Sequence, residues 1–201
     1  MKLYYFPGAC SLAPHIVAKE AGIPIDIEKV DPRKHALPDG SDYYAINPKG
    51  YVPALKLDDG SVLTENTAIL QYLADSKPET RLAPPPKEME RYRLHEWLGF
   101  INSELHKPFG PLFGGGADAT KAESREKIAT RFKNAEAMLG DKPFTLGDTF
   151  TVADAYLFVI LTWANYQKID MSAYPKLMAF MARVAERPAV KAAMKAEGLI
   201  Q

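Results

Sequence analysis

Val52-Pro53-Ala54-Leu55-Lys56-Leu57 and Val62-Leu63 flank Asp58-Asp59-Gly60-Ser61, and Thr64-Glu65-Asn66-Thr67-Ala68-Ile69-Leu70-Gln71-Tyr72-Leu73 follows directly. The two apolar stretches read as strands, with the Asp59-Gly60 pair supplying the tight turn of a hairpin. Ile69, Leu70, Tyr72 and Leu73 mark Thr64 to Leu73 as a helix. Upstream, Ile25 to Val30 alternates apolar and polar and reads as another strand. Pro14 to Ala21 is a short helix with Ile16, Val17 and Ala21 on its apolar side and Gly22 as its stop. Leu3 to Phe6 is the first strand, and residues 31–47 are polar and rich in turn formers. The order is β-α-β, then β-β-α, which suits a small mixed sheet with helices on its faces.

Downstream the pattern changes. Ser76-Lys77-Pro78-Glu79-Thr80 and Ala83-Pro84-Pro85-Pro86 break all periodicity, because proline cannot continue a helix and its predecessor avoids the helical region. The expected division is a domain over residues 1–77, a linker over 78–87 and an all-helical domain over 88–201. Glu88 to His106 carries Met89, Tyr92, Leu94, Trp97, Leu98, Ile101 and Leu105 at helical spacing. Ile128, Phe132, Ala135 and Leu139 mark a second helix. Val152 to Trp163 is apolar nearly all round, as in a helix at the centre of a bundle. Leu177, Phe180, Met181 and Val184 mark a fourth helix, and Pro188 opens a last one that Gly198 ends. Thr151-Val152-Ala153-Asp154 has the spacing of a capping box and reads as structural.

Composition excludes several classes. Twenty-five basic residues balance twenty-five acidic ones, so neither a nucleic-acid surface nor an anionic-membrane surface is expected. No apolar run approaches the ~20 residues that span a bilayer. The apolar stretch at the N-terminus is too short for a signal-peptide core. No metal site is expected, since no His, Cys or carboxylate pair has ligand spacing. Gly114-Gly115-Gly116 lacks the strand and Lys-Ser/Thr ending of a phosphate loop. A single cysteine makes an internal disulfide impossible and fits a reducing cytoplasm.

That cysteine, Cys10, follows Leu3-Tyr4-Tyr5-Phe6 and the turn formers Pro7-Gly8, just before a helix. Free N–H groups and the dipole of a helix start favour a thiolate, which would lower the pKa below the ~8.5 of a free thiol. A small, inert core cysteine is the competing reading. Pro53 belongs at an edge or first strand position; were its peptide bond cis, the Val52 N–H and C=O would face outward to pair with an extended peptide. An ordinary trans proline opening an edge strand reads equally well. Thr64-Glu65-Asn66 stands at a helix start suited to a carboxylate, and Glu65 adds a charge for an ammonium group, together a receptor for a small zwitterion. Glu65 is equally a favourable first-turn acid. In a thioredoxin-like fold these three features would line one cleft.

The stretches Met1-Lys2-Leu3-Tyr4-Tyr5-Phe6-Pro7-Gly8-Ala9-Cys10-Ser11-Leu12, Asn47-Pro48-Lys49-Gly50-Tyr51-Val52-Pro53-Ala54-Leu55 and Leu63-Thr64-Glu65-Asn66-Thr67-Ala68-Ile69 resemble bacterial beta-class glutathione S-transferases. Glu104-Leu105-His106-Lys107 and Phe150-Thr151-Val152-Ala153-Asp154-Ala155-Tyr156-Leu157-Phe158 extend the resemblance to nearly the whole chain. It implies a thioredoxin-like N-terminal domain followed by an all-α domain, and a cytoplasmic homodimer that conjugates glutathione to small apolar electrophiles in detoxification. Glutathione is then a co-substrate and no other cofactor is implied.

The resemblance also implies site residues. Cys10 lies beside the glutathione sulfur and can form a mixed disulfide with it. Val52 pairs through its backbone with the cysteinyl part, with Pro53 cis. Glu65 and Asn66 hold the γ-glutamyl amino and carboxylate groups, and His106 with Lys107 reaches the sulfur. Tyr5 and Ser11 stand close by, and residues near Gly99 and Ser103 of the partner subunit complete the site. The family often carries lysine where this chain has His35, the candidate for the glycyl carboxylate, and asparagine where it has Gly99. A thiolate is the attacking species, favoured by the Cys10 and Ser11 N–H groups or by the Cys10 thiol as donors. His106 suits either a general base or a donor to the sulfur, though a histidine beside Lys107-Pro108 can also simply offset a helix dipole. His15 and His95 read as structural or surface residues. Phe109, Phe113, Tyr156, Trp163 and Tyr166 suit an acceptor pocket or core packing. Two other functions fit the same residues: a glutathione-dependent thiol-disulfide oxidoreductase with Cys10 as nucleophile, and a binder of apolar ligands without turnover.

Overall fold

Leu3-Tyr4-Tyr5 and Ala54-Leu55 are buried on both faces, and they form the two central strands of a four-stranded sheet in the computed structural model, which describes residues 1–201. β1 (Lys2–Tyr5) runs parallel to β2 (Asp26–Lys29) and antiparallel to β3 (Ala54–Lys56), which pairs antiparallel with β4 (Val62–Thr64). The order is β2-β1-β3-β4, with Leu3 opposite both Ile27 and Leu55. The parallel pair needs a crossover, and α1 (Leu12–Glu20) supplies it. α2 (Asn66–Asp75) follows β4 and packs on α1. The β-α-β and β-β-α order read from the sequence is the observed one.

The chain divides into two compact units, Met1–Ala83 with Glu186–Gln201, and Pro84–Ala185. This corrects the expected boundary. The last helix, α8 (Pro188–Ala196), packs along α1 and belongs to the sheet-containing unit. Arg187 makes two hydrogen bonds to Glu20, at 2.6 and 2.8 Å. Helical periodicity identifies an apolar face without saying which surface covers it, so the reassignment was invisible in the sequence. Gly198, at φ +74°, ends α8 as expected, with the Leu199 N–H donating to Met194 C=O.

The second unit contains α3 (Met89–Phe100), α4 (Gly110–Phe113), α5 (Asp118–Leu139), α6 (Val152–Tyr166) and α7 (Pro175–Ala185). The single long helix expected up to His106 is interrupted. From Ile101 to His106 the backbone is π-helical, and Lys107–Phe109 is a 3₁₀ turn. Pro108 has no N–H to donate four residues back, so the α ladder cannot run through it. α6 is buried on almost every side, as its composition demanded. It starts on the expected capping box: Asp154 accepts from the N–H of Thr151 at 2.8 Å and from that of Thr145 at 2.7 Å. The Thr151 hydroxyl donates to the same carboxylate at 2.8 Å.

Replacing Asp154 with Ala strands two buried N–H donors, each worth ~1–3 kcal/mol. The expected loss is ~3 kcal/mol in urea unfolding; a loss below ~1 kcal/mol would show that the box does not anchor α6.

Candidate functional site

The segment from Phe6 to Ser11 is a knot of short-range bonds. The Ser11 hydroxyl accepts from the Phe6 N–H at 3.2 Å and lies 3.3 Å from the Phe6 carbonyl, to which it donates. Its side chain is fully buried. The catalytic part assigned to Ser11 therefore cannot come from its hydroxyl, which closes the loop; its N–H is the group directed at the Cys10 sulfur. Gly8, at φ +71°, donates its N–H to Glu197 at 3.1 Å. The other carboxylate oxygen of Glu197 meets His15 Nδ1 at 3.0 Å, and both side chains are sealed from solvent. His15 is thus structural, as read. Glu197 escaped the sequence analysis because its partners lie at the opposite end of the chain.

Across from this loop, three side chains fix the strand entry. Tyr51 C=O accepts from the Tyr43 hydroxyl at 2.9 Å and from Asn47 Nδ2 at 2.7 Å, while Gly50 C=O is 3.2 Å from His35 Nδ1. Gly50, at φ +72°, could not be otherwise: an added Cβ would come within 2.8 Å of both His35 and Tyr44. The Val52-Pro53 peptide is cis. Val52 C=O lies 3.4 Å from Cys10 Sγ, which donates to it, and the Val52 N–H has no partner within the chain. The ring of His35 stacks on Tyr44 at 4.6 Å, and its bond to Gly50 makes it part of the scaffold under Val52.

Glu65 holds a left-handed backbone, φ +71°, ψ +121°, immediately before α2. A non-glycine residue there carries strain of ~1–3 kcal/mol, the kind of outlier that clusters at ligand sites. Its carboxylate is exposed and bonded to Lys49 at 2.6 Å, and Lys49 also reaches Thr64 at 3.1 Å. Next to it Asn66 is buried, and neither its Oδ1 nor its Nδ2 has a partner. The first turn of α2 also leaves backbone N–H groups without intrahelical acceptors. Cys10, Val52 and Glu65 thus belong to one locality, close enough for Glu65 to act on the thiol. Tyr5 ends β1 in the core; burial, with the charge of Glu197 adding, raises its hydroxyl above the usual range and keeps it protonated.

In the helical unit, His106 ends the π segment. Its Nδ1 is 2.7 Å from the Tyr156 hydroxyl, and its ring meets Trp163 edge-on at 4.8 Å. Burial, helped by the Lys107 charge, pushes the imidazole down to about 4, so it is neutral at pH 7. Lys107 is exposed, and Ser103 donates to the Gly99 carbonyl at 2.9 Å one turn back along the same helix face. Phe109 and Tyr156 are fully buried and make core, whereas Phe113 and Tyr166 are exposed.

Residues 8–76 match the N-terminal domain of glutathione S-transferases, and residues 97–188 match the C-terminal domain. The chain belongs to the glutathione S-transferase family. The Escherichia coli O157:H7 glutathione S-transferase GstA is 47% identical over 200 residues, covering 99% of this chain and all of that one. Among solved structures, a beta-class glutathione S-transferase of Sphingomonas chungbukensis is 49% identical with a TM-score of 0.96, each chain covered in full. A sphingomonad glutathione S-transferase complexed with glutathione is 47% identical, with a TM-score of 0.95 and full coverage of both chains. The thioredoxin-like plus all-α architecture inferred from the sequence is that of the family.

In this family member the thiol is not the low-pKa group expected of a helix start. Burial pushes Cys10 up to about 12; the N–H groups of Cys10 and Ser11 pull the other way, and the charge of Glu65 adds to the rise. Ligand-free protein should therefore react with iodoacetamide at pH 7.5 at least ~100-fold more slowly than free cysteine, since the thiolate is the nucleophile. A reaction rate with an inflection below pH 8.5 would restore control by the helix start.

Proposed function

We propose that this protein conjugates reduced glutathione to small apolar electrophiles as a homodimer. The observation that carries the reading is the α2 start: a strained Glu65 with an exposed charge, backed by a buried Asn66 amide that lacks any partner. A buried amide left unsatisfied costs ~1–3 kcal/mol, and an α-amino acid terminus is the complement to this place. The ammonium group of the γ-glutamyl end competes with Lys49 for Glu65, and an exposed ion pair of ~1 kcal/mol or less is readily exchanged. Its carboxylate takes the first N–H groups of α2, with Asn66 beside them. Val52, its N–H unengaged, pairs with the cysteinyl backbone, which brings the glutathione sulfur to Cys10. His106 and Lys107 act on that sulfur, and Gly99 and Ser103 serve across a dimer.

The chemistry is a displacement or addition by thiolate. Sulfur forms the new bond to carbon, and a leaving group, where there is one, departs with its electron pair. A protonated Cys10 favours this over thiol-disulfide exchange through Cys10, because exchange needs a thiolate on the protein. Cys10→Ala should therefore keep most conjugation of a chlorinated nitroaromatic while losing any glutathione-dependent disulfide reduction. Loss of both activities from folded protein would make Cys10 the nucleophile.

Retention on immobilised glutathione, together with conjugation of that nitroaromatic, is the direct test; failure of both by folded protein overturns the transferase reading. Glu65→Gln removes a charge-assisted contact worth ~1.5–3 kcal/mol. It should raise KM for glutathione about 10- to 100-fold, and an unchanged KM would remove Glu65 from the site.

A further inference from the structure

The turn that fixes Val52 also aims a cation. Asn47 is buried, and its Oδ1 accepts from the Lys49 N–H at 3.2 Å while its Nδ2 holds the Tyr51 carbonyl. The Gly50 N–H closes the same turn on the Asn47 carbonyl at 2.8 Å. The backbone of Lys49 is thus set by the contacts that set Val52. Its side chain crosses to the start of α2 and ends on two acceptors, the Glu65 carboxylate at 2.6 Å and the Thr64 hydroxyl at 3.1 Å. Both members of the ion pair are exposed, so the ammonium on its flexible stem can move without disturbing the turn.

A lysine Nζ and the α-nitrogen of an amino-acid terminus are the same group, a primary ammonium with three N–H donors. Lys49 therefore already makes on Glu65 the contact assigned to the γ-glutamyl ammonium. It brings no carboxylate. Asn66 keeps both polar atoms of its buried amide without a partner, and the first N–H groups of α2 lack intrahelical acceptors. The internal cation thus satisfies the acidic half of the receptor and leaves the amide half open to an anion. A ligand that carries only the carboxylate fills that half, and it meets a Glu65 whose charge Lys49 already offsets.

We propose that Lys49 is a resident ammonium that gives the site a second ligand class, tripeptide thiols whose γ-glutamyl end lacks its α-amino group. This rests on the assignment of the γ-glutamyl end to Glu65 and Asn66. Glutathione displaces Lys49, because its own ammonium needs the same two acceptors. The des-amino tripeptide leaves Lys49 in place and uses it as the missing cation. Lys49 therefore acts in opposite directions on the two ligands: it competes with part of the first and stands in for part of the second. The thiol and the cysteinyl backbone are the same in both, so pairing with Val52 is unchanged.

The test is the calorimetric Kd of the full-length protein for glutathione and for glutaryl-cysteinylglycine, its des-amino form, at neutral pH and low ionic strength. The wild type should bind the des-amino tripeptide within about 30-fold of glutathione, since the resident pair offsets part of the lost charge-assisted contact. Lys49→Met should lower Kd for glutathione about two- to fivefold, the worth of an exposed ion pair. It should raise Kd for the des-amino tripeptide by a similar factor, because Glu65 then faces the ligand carboxylate uncompensated. Lys49→Arg keeps the cation and should stay within about twofold of the wild type for both ligands. Any pattern other than opposite shifts in Lys49→Met overturns the proposal, and so does a wild type that binds glutathione but not its des-amino form. Equal shifts in Lys49→Arg would trace them to side-chain shape and overturn it likewise. The assignment of the γ-glutamyl end fails separately, through a glutathione Kd unchanged in Glu65→Gln.

Discussion

The carbonyl oxygen of Tyr51 accepts from two side chains at once, and the arrangement of the sheet-containing unit around the site hangs on it. One donor, Tyr43, is fully buried and packs on Tyr4 of β1 at 5.7 Å; the other is Asn47, at the far end of the same loop. The core of the sheet thereby dictates where the chain stands before it enters β3. With His35 on the preceding carbonyl, three donors hold Gly50 to Val52. Ordering three residues costs ~1–2 kcal/mol each, and each bond returns ~1 kcal/mol net, so the bonds set the conformation only together with the packing of Val52 on Tyr4, Val30 and Tyr43. The Val52 carbonyl so placed is the one that receives the Cys10 thiol. Two segments remote in sequence are joined at one oxygen.

Much of this was legible beforehand because it is local. The hairpin is written in Asp59-Gly60, the capping box in Thr151 and Asp154, and the central helix in the nearly all-apolar run from Val152 to Trp163. Each is a relation among residues close in sequence, where backbone geometry leaves few choices. The candidate site residues were joined in another way. Cys10, Val52-Pro53 and Glu65-Asn66 each had an ordinary structural explanation, and a thioredoxin-like fold together with the family resemblance brought them to one cleft.

The rest was not legible because it is set by partners far along the chain. Nothing near Glu197 says that it will accept from Gly8 and His15, and nothing in the periodicity of α8 says that it will lie on α1. The π segment was hidden by its own sequence: Ile101 and Leu105 keep a helical apolar spacing whether the ladder closes at four residues or five. Ser11 entered the site through its place beside Cys10 and its N–H, and nothing local says that the turn at Phe6 will take up its hydroxyl.

Cys10 shows how competing effects must be weighed rather than named. A helix start offers an anion up to ~2 kcal/mol in a favourable, partly buried geometry. Removing the same anion from water costs several kcal/mol, and the nearby charge of Glu65 opposes it further. The two N–H groups reduce the penalty without reversing it. This division has a logic of its own. The charged pair, Lys49 with Glu65, is exposed, where an ion can be exchanged at little cost. The neutral donor, Cys10, is buried and already holds the Val52 carbonyl. A thiol has one proton, so a Cys10 that stays protonated could donate to another acceptor only by leaving the Val52 carbonyl. The same burial that silences Cys10 as a nucleophile keeps that one proton on the sulfur, and a donor in a dry site favours the charged form of its partner.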